Sequence, residues 1–253
     1  MKIISYNVNG LRAAMKKGLA NWLAQEQPDI LCLQETKAQP EQIDTAPFED
    51  LGYHHYWESA QKKGYSGVAI LSKPEPRHVE YGCGMPLYDH EGRVIRADYD
   101  SFSIMNVYMP SGTSGEVRQD FKMKWLDEFY DYAHQIATEK THLIIGGDFN
   151  IAHQEIDIHN PAGNKNNSGF LPEERAWVTK FLDSGFIDTF RYLNPDDQRY
   201  SWWTYRFNAR KNNKGWRIDY LMVTRNMAGR LKRADLLNDV VHSDHCPVLL
   251  EID

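Results

Sequence analysis

The sequence predicts an α/β fold: a mixed β-sheet, or a pair of such sheets, with helices outside. Strands and amphipathic helices alternate in the first part of the chain, and strands joined by short connections follow in the second. No Ser/Gly/Pro-rich linker or charge block divides the 253 residues, so one domain spanning 1–253 is expected.

The elements follow in order. "KIISYNVNG" alternates as a strand and stops at an Asn-Gly turn; "LRAAMKKGLANWLAQEQ" reads as a helix that ends before Pro28. "DILCLQET" is an apolar run closing on Gln34 and Glu35, and "FSIMNVYMP" closes on Tyr108 and a proline. "GEVRQDFKMKWLDEFYDYAHQIATEK" places Val117, Phe121, Trp125 and Phe129 at i, i+4 spacing, which predicts a long helix. "HLIIGGDFN" ends in Asp148 and Asn150, and a third helix is expected after Pro172 in "EERAWVTKFLDSG". "YSWWTY", "RIDYLMVT" and "PVLLEI" then read as strands.

Composition sets limits on function. The chain is 42% hydrophobic and 25% charged, enough for a sizeable core and no basis for intrinsic disorder. The apolar stretch of "MKIISYNVNG" is too short for a signal peptide, and no segment reaches the length of a membrane span, so a soluble, unexported protein is expected. Three cysteines, widely separated and without a CxxC pair, indicate neither a disulfide framework nor a thiolate zinc site, which fits a reducing cytoplasm. A net charge of −6 argues against coating nucleic acid by bulk electrostatics, although local patches can differ.

Ligands of open α/β sheets gather at the carboxyl ends of strands, so Asn7, Glu35, Tyr108, Asp148 and Asn150 are expected to share one edge. An antiparallel neighbour would bring Asp219 and His245 to the same place. In "GGDFN", Gly146 and Gly147 leave room for close backbone approach of a ligand; a simple Asx turn is the plain alternative. Asp219 lies between Ile218 and Tyr220, where a buried carboxylate costs several kcal/mol unless it is paired. Its partner is Arg217, Tyr220, a backbone amide or a histidine; an Asp219–His245 pair would fix the tautomer and stabilise an imidazolium.

"VVHSDHCPVLLEID" crowds His242, Asp244, His245 and Cys246 together, but zinc is disfavoured: extended residues place the two histidines on opposite sides, and no HExxH or second cysteine completes a set. A hard ion held by Glu35, Asn7 and waters suits Mg²⁺ better. Residues 198–218 contain no acid but carry Arg199, Arg206, Arg210, Lys211, Lys214 and Arg217 among six aromatics. Cations can hold phosphates while Trp202, Trp203, Phe207 or Trp216 stack on a nucleotide, although core aromatics beside a solvated loop would give the same composition. The amide-rich loop "NPAGNKNNSGF" suits phosphate contacts through neutral donors, or a plain surface turn.

These segments, with "SYNVNGLRA", "LQETK", "VYMPSG", "GGDFNIAH", "NPAGNKNNSGFLPEER", "NARKNNKGWRIDY" and "SDHCPV" in this order, resemble the exonuclease III family of class II apurinic/apyrimidinic endonucleases, within the wider endonuclease/exonuclease/phosphatase superfamily. The resemblance covers essentially the whole chain. It implies a four-layer sandwich of two mixed β-sheets flanked by helices, dependence on Mg²⁺ or Mn²⁺, and incision of duplex DNA 5′ to an abasic site, with 3′→5′ exonuclease and 3′-phosphatase or phosphodiesterase activity alongside. It further implies a monomer without membrane association.

Residue roles follow from the same resemblance. Asn7 and Glu35 look like the metal corner, and Asp148, Asn150, Asp244 and His245 adjoin it, Asp244 for a second metal or for positioning the first. Tyr108, Asn150 and His245 look like phosphate contacts, Asp148 like the residue that activates water, and Asp219 like the partner of His245. Trp202, Trp216 and Ile218 match a pocket for an extruded sugar; Arg118, Asn164, Asn167, Arg206 and Asn208 match DNA contacts. The general base is Asp148 or, in the rival assignment, His245. The rival functions are a phosphodiesterase or phosphatase of the same superfamily on a non-DNA substrate, and a DNA-binding relative without catalysis.

Overall fold

The computed structural model describes residues 1–253. Its twelve strands are β1 (Lys2–Asn7), β2 (Ile30–Gln34), β3 (His54–Glu58), β4 (Val68–Ser72), β5 (His78–Tyr81), β6 (Val94–Asp98), β7 (Ser103–Tyr108), β8 (Leu143–Asp148), β9 (Phe186–Asp188), β10 (Asp219–Thr224), β11 (Leu231–Leu236) and β12 (Val248–Ile252). They form two six-stranded sheets, in the orders β11-β12-β1-β2-β4-β3 and β5-β6-β7-β8-β10-β9. Each sheet has one parallel pair at its centre, β1 with β2 and β7 with β8, and antiparallel neighbours outside it.

A parallel pair needs a crossover connection, and helices supply it: Leu11–Lys16 and Leu19–Glu26 between β1 and β2, Glu116–Glu139 between β7 and β8. The sheets face each other across one apolar layer that includes Ile3, Ile30, Ile70, Ile104, Ile144, Leu221 and Leu250. The opposite face of the first sheet buries Ile4, Leu31 and Leu71 against Leu11, Leu19 and Leu23. That of the second buries Met105, Ile145 and Met222 against Trp125, Phe129, Trp177 and Phe181 of helices Glu116–Glu139 and Pro172–Asp183. The result is helices, sheet, sheet, helices: the four-layer sandwich. Because both faces of the central strands are covered, those strands read as near-continuous apolar runs.

Two sequence expectations are corrected. The helix expected over "LRAAMKKGLANWLAQEQ" is two helices, broken at Gly18, whose φ of +96° is left-handed. "YSWWTY" is no strand: Trp202 makes only isolated bridges, to Trp216 and His245. No helix is long and apolar enough to cross a membrane.

Candidate active site

Both parallel pairs end at the same side of the sandwich. Asn7 closes β1, and its Nδ2 donates to Glu35 Oε1 and to Asp148 Oδ2, each at 2.9 Å. One amide therefore joins a carboxylate from each sheet, while its own Oδ1 accepts the backbone N–H of Asn9. Glu35 leaves β2 with φ +50°, an unfavourable conformation for a residue with a side chain and one that concentrates at functional sites. Lys37 Nζ lies 2.7 Å from Glu35 Oε2 and donates to Asn9 Oδ1.

Asp148 ends β8, in register with Tyr108 on one side and Asp219 on the other. Gly147, one residue earlier, has φ +151°, and a Cβ there would sit 1.8 Å from the Val107 carbonyl oxygen. A Cβ on Gly146 would sit 2.7 Å from Leu221 Cδ2. The close approach these glycines permit is thus by neighbouring protein, not by a ligand. Asn150, with φ +52°, donates its backbone N–H to Asp148 Oδ1, and its Nδ2 donates to the Met109 carbonyl. The Asx turn is present, and it presents Asp148 and Asn150 to one cavity.

Asp219 finds its partner in histidine. His245 Nδ1 lies 2.9 Å from Asp219 Oδ2, which also accepts the Ser201 hydroxyl at 2.6 Å, while His245 Nε2 faces Asp148 Oδ2 at 3.9 Å. Burial opposes charge on His245, but Asp219 first, then Asp148 and Asp244, outweigh it and push its pKa up to about 10. Nδ1 then donates to Asp219, and Nε2 carries a proton toward the cavity. Burial, then the charges of Asp219 and Glu35, hold Asp148 well above the usual carboxylate range. Burial and the Glu35 carboxylate keep the Tyr108 hydroxyl protonated far above its ordinary value.

These groups line a cavity of about 730 Å³ whose wall includes Glu35, Tyr108, Asp148, Asn150, Asn167, Trp202, Trp216, Ile218, Asp244 and His245. Asn7 and Asp219 stand behind that surface, 0% and 2% exposed. Arg118, Asn164, Arg206 and Asn208 lie outside it. Arg118 makes a two-pronged pair with Glu91, at 3.0 and 2.7 Å, and shares the Tyr65 hydroxyl with Arg93. Asn164 turns inward on its own loop, donating to His159 and Asn160 and accepting from Asn167. Arg206 and Asn208 flank Phe207, a left-handed residue that is 87% exposed.

Half of the basic segment is scaffold. Arg217 is buried between Asp157 and Asp188, Arg199 pairs with Asp197 and Asp235, and Arg210 donates to the carbonyls of Ser243, Asn238 and Val240. Trp203 is core. Sequence reasoning gave no role to Ser201, Asn9 or Arg93. Asn9 Nδ2 donates to Asp244 Oδ1 at 2.9 Å, Trp202 Nε1 to Asp244 Oδ2 at 3.1 Å, and Arg93 donates to the Tyr108 carbonyl from above the Tyr108 ring. The second Asn of "NVNG" was the available signal for Asn9; the other two are placed only by tertiary contact.

Residues 4–245 match the endonuclease/exonuclease/phosphatase family. The chain belongs to this family. A Bacillus subtilis exodeoxyribonuclease is 48% identical over 255 residues, covering 100% of both chains. A DNA repair nuclease of Danio rerio, APEX1, is 45% identical over 256 residues, 99% of this chain and 81% of that one. Among solved structures, an AP endonuclease from Archaeoglobus fulgidus superposes with a TM-score of 0.90 at 32% identity, covering 100% of this chain and 99% of its own.

Within this member of the endonuclease/exonuclease/phosphatase family, Glu35, Asp148 and His245 bring ligand atoms within 4.8 Å of one another, close enough to hold one metal ion. The donor chemistry fits a cation. Two carboxylates face each other with acids in excess of bases around them, and Asp219 Oδ1 is buried without a partner. Asp244 stands outside this group, its oxygens accepting from Asn9 and Trp202.

Proposed function

We propose that this protein is a metal-dependent DNA repair nuclease that hydrolyses the phosphodiester 5′ to an abasic site in duplex DNA. The same site would trim 3′ ends by 3′→5′ exonuclease and 3′-phosphatase or phosphodiesterase action. The observation that carries the reading is the Asp219–His245–Asp148 line, 2.9 and 3.9 Å between partners, facing Glu35 across a cavity walled by Trp202, Trp216 and Ile218. Nuclease relatives matched along their length support it.

Glu35, with Asp148 beside it, would hold Mg²⁺ or Mn²⁺, since a hard cation takes few carboxylates and keeps water and phosphate oxygens as its other ligands. Asn7 orients both carboxylates by donating to each. When bound, the ion offsets the acids that would repel phosphate and stabilises charge on the leaving 3′ oxygen. Asn150 and Asp244 border the same place, and the protonated His245 would face the phosphate and not the ion.

His245 is the phosphate contact and not the general base, because an imidazole held protonated up to about 10 has no lone pair to offer at neutral pH. Asp148 takes or orients the proton of the attacking water once a bound cation offsets the Asp219 and Glu35 charges that raise its carboxyl, leaving it ionised at neutral pH. The His245 Nε2 proton, the Tyr108 hydroxyl and the Asn150 amide stabilise the nonbridging oxygens, and each such donor is typically worth about 2.7–4 kcal/mol. Trp202, Trp216 and Ile218 receive the extruded sugar, and Arg118, Asn164, Asn167, Arg206 and Asn208 hold the flanking duplex. The active unit in this reading is a monomer.

The test is a substrate panel: a duplex with one abasic analogue, the matched undamaged duplex, a 3′-phosphate end and a soluble inositol phosphate, each with Mg²⁺ and with EDTA. The expected result is Mg²⁺-dependent cutting of the abasic duplex. Turnover of the inositol phosphate with the abasic duplex left intact overturns the reading.

A further inference from the structure

Behind the cavity lies an ion pair with no part in the chemistry above. Lys122, on helix Glu116–Glu139, and Glu174, in the first turn of helix Pro172–Asp183, are both 0% exposed and meet at 2.6 Å. Neither answers a partner on its own helix. Lys122 Nζ also donates to the Asn150 carbonyl at 2.8 Å. Glu174 Oε2 accepts the backbone N–H groups of Gly169 at 2.6 Å and Leu171 at 3.0 Å. Gln119, one turn before Lys122, donates to Glu174 Oε1 and accepts the Ser168 hydroxyl.

The contacts therefore join two walls of the cavity. One is Asn150, held in a left-handed turn after β8; the other is the amide-rich loop carrying Asn167 and Gly169. The walls also touch directly: the Gly169 carbonyl accepts the Ala152 N–H at 2.8 Å, and a Cβ on Gly169 would sit 3.1 Å from the Asn150 carbonyl oxygen and 2.9 Å from the Trp216 ring. A buried ion pair contributes little net stability compared with well-packed apolar residues of the same volume. Its two charges here are spent on backbone groups of the wall residues.

We propose that Lys122 and Glu174 are positioning residues: the pair clips the Asn150 backbone to the 160–170 loop and so sets the distance between the phosphate-binding amide and the wall that receives DNA. The inference rests on the nuclease reading above. It assigns different consequences to the two partners. Lys122 governs where Asn150 meets the reacting phosphate, whereas Glu174 and Gln119 govern how the loop meets the duplex.

Lys122→Met combined with Glu174→Gln removes both charges together, keeps an amide oxygen to accept from Gly169 and Leu171, and frees Asn150. Gln119→Leu, at a half-buried position, removes the Ser168 link between helix and loop and the amide's donation to Glu174, and leaves the Lys122–Glu174 pair and its backbone contacts in place. Steady-state cleavage of an abasic duplex in saturating Mg²⁺ is measured for wild type and both variants, with circular dichroism of each. For the double variant the expected result is a native spectrum, an unchanged KM and a kcat lower by about tenfold, since small misplacements of a reacting group carry costs of this order. For Gln119→Leu, KM rises about threefold at constant kcat, as the loop loses its Ser168 contact to the helix. A double variant that keeps wild-type kcat, or one whose kcat falls only in proportion to lost secondary structure while Gln119→Leu matches wild type, overturns the inference. A wild type that leaves the abasic duplex uncut overturns the nuclease reading and this inference with it.

Discussion

Asp219 occupies a strand position where a lone carboxylate costs several kcal/mol. The structure answers it on one oxygen, with Ser201 and His245, and leaves the other without a partner. That charge is the main support of the His245 proton. Asp219→Asn removes it, so the proton affinity of His245 falls and the imidazolium is lost at lower pH. The alkaline limb of kcat/KM for abasic cleavage is expected to move down toward neutrality, with activity at pH 7 reduced about 10- to 100-fold, the usual effect of losing the group that orients a functional histidine. A limb at the wild-type position contradicts this. From sequence, Asp219 was recognisable as a residue in need of a partner, but His245 lies 26 positions away and Arg217 only two. Arg217 is instead taken by Asp157, 60 positions away, and by Asp188, and no local pattern encodes that choice.

At the scale of elements, strands buried on both faces were legible, because unbroken apolar runs such as β2 and β8 admit few other structures. The strands left unread are mostly short or peripheral: β3 and β5 are polar edge strands, β9 has three residues, and the five-residue run of β4 carries no periodicity to separate strand from helix. The basic segment misled in part, since composition does not distinguish a guanidinium facing solvent from one facing a buried carboxylate. Arg217 is the sharpest case. Arg217→Met leaves Asp157 and Asp188 in the interior with their pairing reduced, and breaking a buried pair costs about 3–5 kcal/mol. At this chain length that is a fall in Tm of about 10 °C by thermal melting. A variant that melts with wild type would show the pair to be dispensable scaffold.

For the whole molecule, the two sheet orders share one plan: a parallel pair at the centre, one antiparallel hairpin-like pair on each side, and a helical crossover over the outer face. The site is where the ends of both parallel pairs meet, and this explains why its polar residues were found at strand ends although their pairing across the seam was not. Away from the site, stability responds to Glu58, whose carboxyl burial and then the nearby Asp89 raise to about 7. A carboxyl raised in the folded state favours folding at low pH, and that advantage is lost as pH rises from its ordinary range through 7. Glu58→Gln is therefore expected to be more stable than wild type at pH 8 by about 1 kcal/mol, a value reduced for screening at a half-exposed group, with the difference nearly gone at pH 4.5. Urea unfolding at both pH values measures it, and equal differences at the two would contradict the assignment. The most direct test of the whole account maps the ends produced from an end-labelled duplex with a single abasic analogue. The account predicts one Mg²⁺-dependent cut on the 5′ side of the lesion that leaves a 3′-hydroxyl and is abolished by EDTA. An intact duplex, or a cut on the 3′ side that persists in EDTA, would contradict it.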